Sequence, residues 1–247
     1  MGEYGPSSYG DRIAEFYDAW FHPPTDTQAA VDYLADLAMP GPALELAIGT
    51  GRIALPLAAK GVQVHGIDAS EAMVAKLREK PGGAEIPVTM GDFADVGVDG
   101  RFRLIFVVFN TLWALLTQRD QVRCVRNVAK HLTDDGVFVV EAFVPDPARF
   151  DRDQRFHTRK VEANRVFLEA STHDAKHQRV SSQIMVLEHG GGIRMFPVEI
   201  RYVWPSELDL MAELAGLRLR ERWGGWNREQ PFAHPGWHVS VYERAGG

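Results

Sequence analysis

Two glycines and three carboxylates stand at spacings that could grip a small ligand. The segment Leu44-Glu45-Leu46-Ala47-Ile48-Gly49-Thr50-Gly51-Arg52-Ile53-Ala54 reads as a short apolar strand, a glycine turn and the start of a helix. Gly49 and Gly51 lack side chains, so the backbone there can turn sharply and approach a ligand closely. The following helix offers unpaired amides and the positive end of its dipole. The same spacing fits the dinucleotide fingerprint, which accepts alanine in its last position. Asp68 ends the next strand, where a carboxylate can accept from both hydroxyls of a ribose. Because Asp68-Ala69-Ser70 precedes a helix, capping is the competing role for this acid.

Two further acids narrow the chemistry. Glu45 lies four residues before Gly49 and faces the loop from the strand. A carboxylate there suits a ligand bearing an ammonium and a sulfonium, and it would repel a pyrophosphate. Gly91-Asp92-Phe93 follows a third strand; Asp92 can accept from an exocyclic adenine amine while a neighbouring backbone amide donates to the ring.

The elements that must position these residues alternate. Strands are expected at 43–48, 62–67, 87–90, 102–109 and 137–143, and helices at 27–38, 52–60, 70–79 and 118–131. The apolar runs at 102–109 and 137–143 suit strands buried on both faces, and such alternation implies a parallel sheet with helices on both sides. Upstream, Tyr9, Phe16, Tyr17 and Trp20 give one helix, 9–20, with an aromatic face. Downstream the pattern changes to polar–apolar alternation at 160–171, 179–188 and 193–204, an antiparallel meander. A helix at 205–215 and strands at 217–226 and 237–244 close the chain. The expected fold is therefore α/β: a doubly wound, Rossmann-like, mostly parallel seven-stranded sheet with an inserted antiparallel β meander. Its parts are a lid and α/β core over 1–144, the insertion over 145–204, as substrate cap or dimer contact, and a completing helix and hairpin over 205–247.

In order and spacing these segments resemble the class I S-adenosylmethionine-dependent methyltransferases, and small-molecule members of the sugar N-methylating type in particular. The likeness runs from about Tyr9 to Phe143. It rests on Glu45 to Gly51, Gly66-Ile67-Asp68-Ala69-Ser70-Glu71-Ala72-Met73, Gly91-Asp92-Phe93, Phe106 to Leu112, and Leu132-Thr133-Asp134-Asp135-Gly136. It implies S-adenosyl-L-methionine as cofactor. Gly49 and Gly51 would pack against its amino-acid and ribose parts, Asp68 and Ala69 would meet the ribose, and Met73, Asp92 and Phe93 the adenine. Phe109 and Asn110 would line the methyl-transfer site. Two places depart from the family pattern: Phe102-Arg103 stands where many relatives carry an aromatic–acid pair, and Asp134-Asp135-Gly136 where many carry Pro-Gly.

Methyl transfer asks little covalent chemistry of a protein. Alignment of the reactants supplies much of the rate, and a base is needed only if the acceptor must lose a proton. No catalytic residue is therefore dictated. His157, His234, His238 and Tyr17 are candidates, with a surface role the favoured reading of the histidines. Tyr9, Tyr17 and Trp20 would face the substrate if their helix is a lid, or staple it to the domain if not; Trp113, Tyr202 and Trp204 are further substrate candidates. Arg201 could meet a substrate anion or a cross-strand carboxylate.

Composition bounds the rest. The chain has 247 residues, 45% hydrophobic and 24% charged, with a net charge of −6, an ordinary globular balance and a poor match to a phosphate backbone. The basic run Arg149, Arg152, Arg155, Arg159 and Lys160 is interleaved with acids and reads as solvated. Cys124 is the only cysteine; it reads as a packed thiol, and no metal site is expected. The start of the chain lacks a signal-peptide pattern and no apolar run is long enough for a bilayer, so a cytoplasmic protein without membrane or nucleic-acid partners is expected, with a small-molecule substrate and a homodimer contact through the meander. The rival readings are a NAD(P)-dependent oxidoreductase, which leaves Glu45 and Asp92 without a role, a non-catalytic cofactor-binding protein, and an RNA or protein methyltransferase.

Overall fold

The computed structural model describes residues 4–20, 26–231 and 236–246. The N-terminal segment forms two short helices, α1 (Ser8–Ile13) and α2 (Tyr17–Trp20), followed by α3 (Thr27–Ala38). The core then alternates β1 (Ala43–Leu46), α4 (Ala54–Ala59), β2 (Val64–Asp68), α5 (Glu71–Arg78), β3 (Val88–Met90), β4 (Phe102–Val107), α6 (Gln118–His131) and β5 (Leu132–Phe143). Four strands follow, β6 (Gln154–Val161), β7 (Arg165–Asp174), β8 (Arg179–Glu188) and β9 (Ile193–Arg201). The chain ends with α7 (Pro205–Leu214), β10 (Leu217–Trp223) and β11 (Trp237–Arg244). Among the described residues no helix is long and apolar enough to cross a membrane.

The expected α/β architecture is present. Seven strands lie in the order β10-β11-β5-β4-β1-β2-β3, and β6 to β9 form a separate antiparallel sheet. The first five strands of the large sheet run parallel, and β11 pairs antiparallel with both β5 and β10. β1 sits between β2 and β4, so the connections diverge there; such a switch point opens a crevice at the carboxyl ends of the strands. The apolar runs of β4 and β5 are buried from Leu104 to Val107 and from Val137 to Ala142 because helices cover both faces. Helix starts follow their polar caps: Asp26 accepts from Gln28 N and Ala29 N before α3, Ser70 from Met73 N before α5, and Thr117 from Asp120 N before α6.

The structure departs from expectation in four places. The aromatic helix over 9–20 is broken between Ile13 and Tyr17, which sets Tyr9 on a different helix from Tyr17 and Trp20. The first helix of the core starts at Ala54 rather than Arg52, because Gly51 at φ +80° holds the chain in the turn. The strand expected at 217–226 is shorter: β10 ends at Trp223, where the Gly224 amide turns to the Glu229 carbonyl. The meander has four strands, not three. Residues 160–171 are not one strand: the chain reverses after Val161, and Arg155, Arg159 and Lys160 of the basic run lie in β6. That strand alternates Arg155, His157 and Arg159 with Phe156, Thr158 and Lys160, so polar groups on both faces hide its period from an apolar–polar reading.

The small sheet clamps the N-terminal helices. Phe167, Ile184, Val186 and Phe196 form one buried cluster with Ile13 and Ala14 of the lid segment and Met73 of α5. Trp20 stacks on Phe16 at 4.2 Å and meets Phe167 and Phe196 edge-on. This is the stapling role, with Arg194 lying over both rings.

Candidate functional site

A cavity of about 290 Å³ opens at the carboxyl ends of β1, β2 and β4. The glycine turn forms its floor. Gly49 has φ +58°, and a Cβ built there would meet no atom within 4 Å, so it faces open space. Gly51, also left-handed, is different: a Cβ there would strike Leu77 of the core. Ala47 takes φ 56° in the same turn without the freedom of a glycine, a conformation that costs an ordinary residue of order 1–3 kcal/mol and recurs at ligand sites.

The three acids surround this turn. Asp68 Oδ2 accepts from the Gly49 amide at 2.7 Å and Oδ1 from the Ser70 amide at 2.8 Å. It therefore ties the tip of β2 to the glycine loop, while the Ser70 hydroxyl alone caps α5. Asp92 lines the cavity beside Phe93, its Oδ1 accepting from Ala94 N. Glu45 is 3% exposed, and its Oε2 is buried with no hydrogen-bond partner among the described residues. Burial pushes the Glu45 carboxyl up to about 8, although the Arg52 guanidinium and the Ala54 amide pull the other way. An unsatisfied buried carboxylate beside an open glycine loop fits a cationic ligand, because its desolvation cost is met only by a positive partner.

This geometry has a measurable consequence. Without ligand, Glu45 is mostly protonated at pH 7; an ammonium group bound beside it draws it into the charged form. Binding should then release close to one proton at neutral pH, and affinity should rise between pH 6 and 8 and level off above. Calorimetry in two buffers of different ionisation enthalpy reads this directly, and Glu45→Gln should remove the difference; equal heats for the native protein would refute it. The stability sign is opposite. A carboxyl raised from 4.5 to about 8 in the folded state favours folding fully below pH 4.5 and loses that contribution as pH rises through 8.

The tips of β4 and β5 place the other wall. Phe109 and Asn110 are consecutive left-handed residues, φ 53° and 64°. Buried Glu141 holds this turn: its Oε2 accepts from Phe109 N at 2.8 Å, and its Oε1 from Trp226 Nε1 at 2.7 Å. Phe109 lines the cavity and stacks parallel to Trp237 at 6.0 Å. Asn110 does not line it; its Oδ1 accepts from Phe143 N at 2.7 Å, so it sets the turn that aims Phe109. Glu141 and Trp237 carry no local motif and were missed; only the pairing of β5 with β11 brings them here.

The lid closes the top. Tyr9 and Tyr17 line the cavity, as do Met73 and Ala69 below them. Burial raises both phenols, that of Tyr9 well above the usual range, so both hydroxyls stay neutral. Two acids latch the lid in place. Asp11 accepts from the Ser70 hydroxyl at 2.7 Å, and Asp18 accepts from the Thr50 hydroxyl at 2.7 Å and pairs with Lys80. Gly10 permits this closeness, since a Cβ there would strike Ser70. Asp11 and Asp18, seven residues apart on a helical pattern, carried a signal that aromatic spacing overshadowed. Arg52 was missed as well; it donates to Thr27 at 3.0 Å and lies 5.8 Å over the Phe109 ring.

Several candidates lie elsewhere. Trp20 belongs to the staple under the small sheet. Trp113 is fully buried against Phe143, because its short turn packs into the core. Tyr202 bonds His173 at 3.0 Å in a different cavity, and Trp204 is 39% exposed at the start of α7. Arg201 takes the structural alternative, bonded to Gln121, Gln178 and Glu207. His157 faces that second cavity, not the first. His238 is fully buried, bonded to Ser240 and held neutral by burial at about 3. His234 lies outside the described residues.

Comparison with known proteins shows what the chain is similar to. Residues 43–136 match the family model described as a methyltransferase domain. The structure of the CcbJ methyltransferase from Streptomyces caelestis superimposes with a TM-score of 0.94 at 43% identity, over 98% of this chain and 100% of that one. The cypemycin N-terminal methyltransferase of a Streptomyces species is 26% identical over 97% of this chain and 98% of its own. A dTDP-4-amino-2,3,4,6-tetradeoxy-D-glucose N,N-dimethyltransferase of Saccharopolyspora spinosa is 33% identical over 99 residues, 40% of this chain and 39% of its own.

Proposed function

Since the chain belongs to the S-adenosylmethionine-dependent methyltransferases, we propose that it methylates an amine nitrogen of a small molecule in secondary metabolism. The oxidoreductase alternative has no support, since the relatives are methyltransferases.

The cofactor, when bound, supplies an electrophilic methyl group. Glu45 would receive its ammonium, Gly49 would let its chain lie against the backbone, Asp68 and Ala69 would hold the ribose, and Met73, Asp92 and Phe93 the adenine. The observation that carries the acceptor reading is the pair of phenols over this cavity. Tyr9 and Tyr17 are kept neutral by burial, so each hydroxyl can accept an amine N–H and turn the nitrogen lone pair toward the methyl. Such alignment is the main lever available, and a neutral amine needs no strong base. One relative is named an N,N-dimethyltransferase and another an N-terminal methyltransferase, which supports the same choice.

The test is methyl uptake from labelled S-adenosylmethionine by a panel of small amines and matched alcohols. Amines should be methylated and alcohols not; Tyr9→Phe and Tyr17→Phe should each lower kcat at least tenfold while leaving cofactor affinity within twofold. Methylated alcohols with untouched amines would reject the reading. The outer face of the small sheet exposes Phe156, Val161, Ile193 and Met195; we place the contact of a homodimer there, on apolar area a monomer gains nothing by exposing.

A further inference from the structure

The acceptor reading leaves a second cavity unexplained. It also measures about 290 Å³ and lies under the polar half of the small sheet. β6 contributes Arg155, His157 and Arg159 to it, β7 contributes Glu169, and the segment after β5 contributes Asp146 and Arg149. Its charges do not balance. Arg159 is matched by Glu169 at 3.1 Å. Asp146 spends its Oδ1 on the Ala148 amide. Arg149 and Arg155 have no side-chain hydrogen bond or ion pair with any described residue. Arg149 is exposed and Arg155 half-buried; burial and then Arg149 depress the proton affinity of Arg155, with Glu169 and Asp146 acting the other way. His157 Nδ1 is buried with no partner among the described residues.

Two unpaired guanidiniums beside an orphaned imidazole nitrogen form an oxyanion receptor. Guanidinium forks match the two-oxygen edge of a carboxylate or phosphate, and an anion between them removes their mutual repulsion. Residues that line the two cavities meet in one packed cluster. Arg159, on its wall, is close enough to act on the Tyr9 phenol, and Val198, also on its wall, packs in the cluster that holds Tyr9 and Tyr17.

We propose that this cavity is the anion-recognising half of the acceptor site, in which Arg149, Arg155 and His157 hold a carboxylate or phosphate of the amine substrate. The inference rests on the amine reading above and adds the second feature that the acceptor must carry. A substrate with its nitrogen at Tyr9 and Tyr17 and its anionic arm under β6 would be fixed at both ends, which restrains the nitrogen before the cofactor.

Calorimetric titration with succinate and with pyrophosphate tests the cavity, using the native protein, the variant R149Q/R155Q and the charge-matched control R101Q/R218Q. The control arginines are exposed and already paired with Asp134 and Glu243. At least one anion should bind the native protein and the control at a single saturable site, and at least tenfold more weakly to R149Q/R155Q, with S-adenosylmethionine affinity unchanged in all three. Preference for succinate identifies a carboxylate arm, and preference for pyrophosphate a phosphate arm. Absence of saturable binding, or equal binding to R149Q/R155Q, overturns the inference. In parallel, amines with and without such an arm are assayed for methyl uptake. The arm should lower KM at least tenfold in the native protein and not in R149Q/R155Q, with kcat little changed. Methylated amines without anion binding sink this inference alone; anion binding with no methylated amine sinks the acceptor reading and leaves the anion site standing.

Discussion

Gly49→Val should leave the protein folded and remove at least 99% of its affinity for S-adenosylmethionine, about 2.7 kcal/mol or more. The asymmetry comes from where the new side chain would go. No atom lies within 4 Å of a Cβ at this position, so the substitution meets no steric conflict within the protein itself. It would cost only the strain of a β-branched residue in the left-handed region, roughly 1–2 kcal/mol, or a few degrees in Tm. The valine would fill the space where the ligand must touch the backbone. Gly51→Val is the contrasting variant: its Cβ would strike Leu77, which is fully buried, so stability and binding should fall together. Calorimetry beside thermal melting separates the two. Native affinity in Gly49→Val would mean that the ligand does not approach this loop.

Asp68→Ala should lose both binding and stability, which the isolated motif does not suggest. From the strand-end position, the acid is expected to serve the ribose or to cap a helix, and a ribose ligand alone predicts weaker binding with little loss of stability. In the fold its two oxygens also satisfy the Gly49 and Ser70 amides. Alanine would orphan both donors at about 1–3 kcal/mol each where they are buried, and would release the glycine loop that the cofactor needs. A fall of several degrees in Tm with at least a hundredfold loss of affinity is expected. Asp68→Asn keeps one carbonyl oxygen for these amides, so it should recover much of the Tm but not the affinity. Full affinity in Asp68→Ala would remove the acid from the ribose site, and a loss of stability alone would leave it as a scaffold for the turn.

Both variants show how far local pattern reaches. The turn from Glu45 to Gly51, the acids at 68 and 92 and the order of the core strands were legible because each depends on a few adjacent residues: a glycine where φ is positive, an acid at a strand tip, an apolar run where a strand is covered twice. The aromatic candidates were less so. Tyr9, Tyr17 and Trp20 share one helical spacing, yet the chain breaks between Ile13 and Tyr17; both tyrosines line the cavity, whereas the tryptophan does not and stacks on Phe16 under the small sheet. Tyr202 and Trp204 failed similarly, since β9 ends at Arg201 and the alternation assumed for them stops there.

The amino-acid order alone determined the class of fold and the glycine turn with its flanking acids, because these follow from backbone freedom, side-chain charge and periodicity within short windows. Tertiary structure decided which distant groups complete the site: Glu141 under the Phe109 turn, Asp11 and Asp18 latching the lid, and Arg149 with Arg155 across from Glu169. Each of these depends on contacts between segments far apart in the chain, and such contacts arise only when sheet order and packing bring them together, a constraint no local pattern records.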